Sequence, residues 1–130
     1  MPQLILELLS DRFAVCRLAP EAAIPPSLEG GSLFSVTRTG SELSVVCRES
    51  QGLPGEVEGG WRCLGVEGPL EFTQIGVLAS LSQPLAEAGI SIFVVSTYDT
   101  DYLLVKEEQL DSAITALRAA GHSIVDSKRP

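Results

Sequence analysis

Short apolar stretches separated by polar turns run along most of this chain. Within them, apolar residues alternate with polar ones or stand together, as in β-strands that are half or fully buried. Eight such stretches are residues 4–8, 13–18, 33–38, 43–48, 61–67, 92–96, 102–105 and 123–125. The pattern therefore predicts a chain dominated by β-structure.

Two longer segments have a helical period instead. Apolar residues recur every three or four positions over residues 74–88 and 107–120, which predicts two amphipathic helices. The expected buried stripes are Ile75, Leu78, Leu81 and Leu85 in the first helix, and Leu110, Ile114 and Leu117 in the second. Thr73 is suited to cap the first helix. Gly89 and Gly121 follow the two helices, where a glycine commonly ends a helix.

The order of these elements predicts an α+β fold with two units. From residue 61 to residue 126 the elements are β-α-β-β-α-β, the ferredoxin-like arrangement with two helices on one face of an antiparallel sheet. In the first half, the connections 19–31 and 49–60 are rich in Pro and Gly and leave room for short helical turns only. We therefore expect one unit over residues 1–60 and a second over residues 61–130.

An internal repeat supports two related units. At an offset of 59, residues 30–49 align with residues 89–108 without a gap, and six of the twenty pairs are identical. The identical pairs are Gly30/Gly89, Ser32/Ser91, Phe34/Phe93, Val36/Val95, Val46/Val105 and Glu49/Glu108. The expected architecture is a tandem pair of βαββαβ units that share one eight-stranded antiparallel sheet, the first with eroded helices.

The composition excludes some classes of function. The 130 residues are 45% hydrophobic, which is enough for a core, and the net charge is −8. An acidic chain is unsuited to sequence-independent nucleic-acid binding or to docking on anionic membranes, so neither partner is expected. No apolar run reaches the length of a membrane-spanning helix, and no signal-peptide pattern opens the sequence. A cytoplasmic protein is expected.

The cysteines and the histidine do not form a metal-binding or catalytic pattern. Cys16, Cys47 and Cys63 are odd in number and widely spaced, in strand-like surroundings, which favours buried thiols over a disulfide framework. His122 is the only histidine and has no ligand-type residue at metal spacing, so a structural role is expected. No metal or cofactor is expected.

The most polar turn is the bend between the two strands that follow the first helix. Residues 96–101 are Ser-Thr-Tyr-Asp-Thr-Asp, six consecutive polar side chains where a tight turn needs only two to five residues. These hydroxyls and carboxylates can receive an ammonium group and hydrogen-bond a polar ligand. An ordinary solvated turn is the alternative. Catalysis by Asp99 and Asp101 as a pair is disfavoured, because the two carboxylates of this bend need not converge.

The loop before the first helix is a second candidate for ligand contact. A helix N-terminus offers unpaired N–H groups to a carboxylate, and Gly76 allows close approach of the backbone. The alternative is that Gly68-Pro69 is an ordinary turn and Gly76 only packs tightly. Glycine-rich phosphate motifs and a Gly-x-Ser-x-Gly elbow are absent from the sequence, so no active site is indicated.

Four segments together resemble the ACT-domain family. They are Trp61–Glu67, Phe72-Thr-Gln-Ile-Gly76, Pro84-Leu-Ala-Glu-Ala-Gly-Ile-Ser91 and, above all, Ser96-Thr-Tyr-Asp-Thr-Asp-Tyr-Leu-Leu-Val105. The resemblance is to the bacterial tandem-ACT branch related to the CASTOR arginine sensors. It covers residues 61–126 well and the first half loosely.

The resemblance implies an amino-acid effector, arginine or similar, in a polar cleft between ACT units, and no catalytic activity. Carried over by position, the ligand contacts would be Phe72, Thr73, Gln74, Ile75, Gly76, Thr97, Tyr98 and Asp101. The opposite wall would be Ser91 and Ile92 of a second copy, which implies a homodimer. An unidentified target protein would be regulated. The first half has Thr39-Gly40-Ser41 at its bend and is not expected to form an equivalent site.

Two other functions remain open at this point. One is a ligand-free structural module that dimerises. The other is a small hydrolase on a ferredoxin-like scaffold, which needs a basic phosphate loop, and residues 68–74 contain no Lys or Arg.

Overall fold

The computed structural model describes residues 2–71 and 75–126. Its contacts divide the chain into a large unit, Met1–Ser10 with Arg62–Pro130, and a small unit, Asp11–Trp61. The division into ACT-like units at residues 60 and 61 stays a prediction, while the contacts group residues 2–10 with the large unit and Trp61 with the small one.

The described residues form seven strands and two α-helices. The strands are β1 (Ile5–Leu18), β2 (Ser35–Arg38), β3 (Leu43–Arg48), β4 (Glu56–Val66), β5 (Phe93–Ser96), β6 (Asp101–Lys106) and β7 (Ser123–Asp126). The helices are α1 (Val77–Glu87) and α2 (Leu110–Ala119). The prediction of eight strands was wrong because residues 4–8 and 13–18 belong to one strand. Polar Ser10 and Arg12 do not end it, since both side chains reach solvent.

The sheet of the large unit is mixed. Its strand order is β7, β1, β4, β6, β5. β5 and β6 form the expected antiparallel hairpin, with Ser96 opposite Asp101. β7 pairs with β1 in parallel, with Ile5 opposite Ser123. The prediction of a wholly antiparallel sheet did not include this parallel pair. The N-terminal strand is therefore part of this sheet, between β4 and β7.

Both helices pack on one face of this sheet, as predicted. The shared core contains Leu64, Val66, Leu103 and Val105 of the strands with Leu81, Leu85, Ala113 and Leu117 of the helices. The predicted stripe of the first helix needs correction. Ile75 precedes α1 and is 90% exposed, and Leu78 is 41% exposed. Val77 and Ser80 are buried beside Leu81 instead, because α1 begins three residues later than expected.

Glycines end both helices in the expected way. Gly89 has φ 76° and Gly121 has φ 97°, in the region that an L side chain rarely adopts. Gly89 N–H donates to Ala86 O, and His122 N–H donates to Leu117 O, so the last helical carbonyls are paired. The predicted N-cap, Thr73, lies outside the described residues.

The small unit is built on strands, with no α-helix described within residues 11–61. Residues 13–18 of β1 pair with β3, and β3 pairs with β2, both antiparallel. Cys16, Leu43, Val45 and Cys47 form its core together with Leu28 of the 3₁₀ turn Pro26–Leu28. The Arg38 guanidinium donates to the carbonyls of Pro20 and Ala22 and so holds this connection in place without a helix.

The hairpins of the two units correspond at an offset of 58, so the predicted offset of 59 was wrong by one residue. In both turns a threonine N–H donates to the carbonyl three residues later, Thr39 to Glu42 at 2.9 Å and Thr97 to Thr100 at 2.8 Å. Gly31 and Gly89 have φ 75° and 76°. One residue of shift reverses the face of every strand side chain. The identical phenylalanines therefore lie on opposite faces of their hairpins.

All three cysteines are buried free thiols, as expected. Burial raises the pKa of the Cys63 thiol to about 12. Burial, followed by the neighbouring Cys16, also raises the pKa of Cys47 to about 12. These thiols stay protonated and unreactive at neutral pH.

Candidate ligand site at the second hairpin

The polar bend between β5 and β6 is closed by one threonine. Thr97 Oγ1 accepts the N–H of Thr100 at 3.2 Å and lies 3.1 Å from the Thr100 carbonyl, to which it donates. The main chain adds the bond from Thr97 N–H to the same carbonyl. Tyr98 and Asp99 therefore form the tip of a defined four-residue turn.

Ser96 and Asp101 form a polar pair at the root of this bend. They are opposite each other in the hairpin register, and Ser96 Oγ donates to Asp101 Oδ1 at 2.6 Å. Asp101 is half-buried and shares a strand face with Leu103 and Val105, which pack against the helices. An ionised carboxylate has about four acceptor positions, so this bond leaves Asp101 able to accept from a ligand.

The loop that follows β4 contacts the bend directly. Leu70 N–H donates to the Asp99 carbonyl at 2.7 Å. Thr100 Oγ1 donates to the carbonyl of Val66, the last residue of β4, also at 2.7 Å. A Cβ added to Gly68 would lie 3.1 Å from the Asp99 oxygen, so glycine permits this approach. The loop after β4 and the bend, both predicted to contact a ligand, are thus in contact with each other through residues 66–70 and 99–100.

The predicted ligand residues have different surroundings. Phe72, Thr73 and Gln74 lie outside the described residues. Ile75 and Tyr98 are 90% and 80% exposed, so neither is enclosed. The Thr97 hydroxyl is engaged in closing the turn. Gly76 has φ 84° and immediately precedes α1.

The predicted opposite wall lies just before β5. Ser91 is exposed, whereas Ile92 is half-buried against the core of its own unit. Ser91 is thus the more accessible of the two to a neighbouring molecule.

Sequence reasoning missed three residues that hold the site together. Ser96, Thr100 and Gly68 were not among the predicted contacts, yet they orient Asp101 and join the loop to the bend. Of the three residues, only Ser96 could have been found from the sequence, because a hairpin with its turn at residues 97–100 places Ser96 opposite Asp101. The other two contacts connect residues more than thirty positions apart along the chain.

The charged side chains within residues 67–71 of the loop and 96–101 of the bend are all negative. Glu67 and Glu71 lie in the loop and Asp99 and Asp101 in the bend, and residues 67–71 and 96–101 contain no Lys or Arg. On the opposite strand face, burial and then the neighbouring Cys63, Glu7 and Asp99 raise the pKa of the Tyr102 phenol. This arrangement favours a ligand that has a positive charge.

A cavity of about 230 Å³ lies elsewhere in the large unit. It is lined by Pro2, Ala79, Ser80, Gln83, Pro84, Glu87, Ala120 and His122, none of them a predicted ligand residue. Its buried polar groups are already paired. Ser80 Oγ donates to Val77 O, and His122 contacts Leu4 N–H and Ser80 O through its two ring nitrogens. The cavity therefore offers no unpaired buried side chain to a ligand.

Within residues 2–71 and 75–126, no group of three or more His, Cys, Asp or Glu side chains is arranged to hold a metal ion. Among the helices of that same portion, none has both the length and the apolar character needed to cross a membrane.

Comparison with known families identifies the fold of the second half of the chain. The model described as "ACT domain" matches residues 56–119, which include β4, both helices and the β5–β6 hairpin. Residues 56–119 of this chain belong to the ACT-domain family. A second model, which describes an N-terminal domain, matches residues 11–54 of this ACT-domain protein.

Known proteins similar to this ACT-domain protein include sensors and regulatory subunits. The cytosolic arginine sensor for mTORC1 subunit 1 of Homo sapiens is 39% identical over 59 residues, which are 45% of this chain and 18% of the sensor. The same sensor of Bos taurus matches this chain with the same identity and the same coverage. The chain thus matches less than a fifth of the length of these relatives.

Solved structures extend the similarity to the whole chain. A crystal structure of a protein from Agobacterium tumefaciens has a TM-score of 0.88 and 39% identity, covering 99% of this chain and 97% of that one. The regulatory subunit of aspartate kinase from Thermus thermophilus has a TM-score of 0.60 at 11% identity, covering 87% and 94%. At that identity the second likeness concerns the fold alone.

Proposed function

We propose that this chain is an amino-acid-binding regulatory protein with no catalytic activity of its own. The observation that supports it best is the contact between the loop after β4 and the bend of the β5–β6 hairpin, through Leu70 and Thr100. Two polar segments meet there beside the half-buried carboxylate of Asp101. Similarity to arginine sensors in the same family supports an amino acid as the ligand.

Asp101 receives the positive group of the ligand in this proposal. Its Oδ1 is held by Ser96 at 2.6 Å, which fixes the carboxylate orientation before a ligand arrives. The four acidic side chains of the loop and bend favour a cationic amino acid, and arginine is the first candidate. Ile75, Gly76, Thr97 and Tyr98, together with residues 72–74, remain proposed contacts.

A homodimer completes the site in this proposal. The opposite wall is Ser91 and Ile92 of a second copy, and two equivalent sites form between the copies. The position of β5 at the end of the sheet order supports this arrangement. A monomer at micromolar concentration by sedimentation or light scattering, with and without L-arginine, would contradict it.

The tandem arrangement is also part of the proposal. The small unit is a degenerate ACT-like unit, and the matching threonine turns at an offset of 58 support a common origin. Leu43 occupies the position that Asp101 has in the second hairpin and is fully buried. The small unit therefore has no equivalent carboxylate. A cytoplasmic location and an unidentified target protein complete the proposal.

The direct test is calorimetry after a thermal-shift screen of the twenty amino acids. A ligand at a hundred times its Kd adds about 2.7 kcal/mol to the free energy of unfolding. Asp101→Ala should weaken binding about 10- to 150-fold, because charge-assisted hydrogen bonds contribute about 1.5–3 kcal/mol. Asp111→Ala, an exposed acid of α2, is the matched control. No shift with any amino acid would favour a structural dimerisation module instead.

A further inference from the structure

Among the described residues of the bend, Thr100 makes a side-chain hydrogen bond to the last residue of β4. Its Oγ1 donates to Val66 O at 2.7 Å, across 34 positions of sequence. One residue earlier in the bend, the Asp99 carbonyl accepts the Leu70 N–H at 2.7 Å. The bend is therefore bonded to the end of β4 through the Thr100 side chain and to the loop after β4 through the main chain.

Close packing reinforces these two bonds. An added Cβ at Gly68 would lie 3.1 Å from the Asp99 oxygen, 3.2 Å from the Thr100 Cβ and 3.3 Å from the Leu70 nitrogen. The loop thus lies against the same residues that make the hydrogen bonds. Asp101 directly follows Thr100 in the chain, so movement of Thr100 also moves the carboxylate.

We propose that Thr100 is a positioning residue, which couples residues 67–71 of the loop after β4 to the bend and so keeps the bend in its binding-competent form. This inference rests on the proposed function only for its effect on ligand affinity. When the coupling is lost, the bend is in its binding-competent form for a smaller fraction of the time. The apparent Kd then rises in proportion, since it equals the intrinsic Kd divided by the competent fraction.

The test compares Thr100→Val, which keeps the shape without the hydroxyl, with Thr100→Ser, which keeps the hydroxyl. Hydrogen exchange of the Leu70 amide, followed by NMR, reports the coupling without any ligand. Thr100→Val should speed this exchange about five- to tenfold, which corresponds to one hydrogen bond, and Thr100→Ser should leave it within about twofold. Gly68→Ala should act in the same direction as Thr100→Val.

Titration with L-arginine provides the second measurement. Thr100→Val should raise the Kd about five- to tenfold while Thr100→Ser binds like wild type. Thr115→Val, an exposed threonine of α2, is the matched control and should change neither measurement. Unchanged Leu70 exchange in Thr100→Val would overturn the coupling. Faster exchange with an unchanged Kd would overturn the positioning role. Wild-type protein that binds no arginine would refute the arginine proposal, while the Leu70 exchange would still decide the coupling.

Discussion

His122 compensates for a defect that Pro84 creates in α1. Proline has no N–H, so the carbonyl four residues earlier, that of Ser80, loses its helical donor. His122 Nε2 lies 2.9 Å from that carbonyl and donates to it, while Nδ1 accepts the Leu4 N–H at 3.0 Å. These two bonds require the neutral ring with its hydrogen on Nε2. The side chain is buried, with 5% exposure.

His122→Ala should therefore be strongly destabilising. It leaves a buried N–H and a buried C=O without partners, and each unsatisfied group costs about 1–3 kcal/mol. We expect a loss of about 3–5 kcal/mol in the free energy of unfolding. With an m-value of roughly 1–3 kcal/mol/M, the urea midpoint should fall by about 2 M. Ser112→Ala, on the exposed side of α2, should change the stability by less than about 0.5 kcal/mol.

A double-mutant cycle separates the contribution of the hydrogen bond between His122 and the Ser80 carbonyl from the other effects of removing His122. Pro84→Ala restores a helical N–H to that carbonyl, so it should recover about 1–2 kcal/mol more in His122→Ala than in wild type. Urea denaturation of the four proteins measures the coupling. Additivity within about 0.3–0.5 kcal/mol would refute the claim that His122 replaces the donor missing at Pro84.

Three further predictions concern other parts of the large unit. Ser96→Ala should weaken L-arginine binding about five- to tenfold by calorimetry, with little change in melting temperature, because Asp101 loses its orienting bond. Urea denaturation between about pH 9 and pH 12 should show a stability that falls with pH, since the unfolded chain releases the Cys63 proton that the folded chain keeps. Stability is unaffected by this group below about pH 9, and Cys63→Ala should reduce the slope by about 1.4 kcal/mol per pH unit. Gly89→Ala and Gly121→Ala should each cost about 1–2 kcal/mol through their positive φ. The carbon added at Gly121 should add little to this cost, because the Gln3 amide that it would meet at 2.7 Å ends an exposed, flexible side chain that can move away. A much larger loss at Gly121 than at Gly89, measured by urea denaturation, would contradict this reasoning.

Much of the large unit was predictable because its signals are local. The helical period, the two terminating glycines and the apolar strands flanking a polar bend are each contained within about fifteen residues. The pairing of β7 with the N-terminal strand was not predictable, because apolar alternation gives no information about strand partners. The start of α1 was also missed, since Ile75 fits the apolar stripe in sequence but precedes the first helical residue.

The site was predictable in composition but not in its internal bonds. The run of hydroxyls and carboxylates after β5 was visible in the sequence. The acceptor of the Thr100 hydroxyl lies at the end of β4, and nothing near Thr100 in the chain indicates it. Sequence identity also misled, because the Phe34/Phe93 match selected an offset of 59, whereas the hydrogen-bonded turns correspond at 58.

The difference of one residue between these offsets decides which substitution could build a second binding site. An engineer who copied the second hairpin by sequence identity would treat Glu42 as the counterpart of Asp101 and conclude that an acid is already present. The hydrogen-bonded turns make Leu43 the counterpart, and that side chain is wholly enclosed in the core of the small unit. A carboxylate there would be buried without a partner and would cost several kcal/mol. Duplicating the site would therefore require a redesigned core in the small unit.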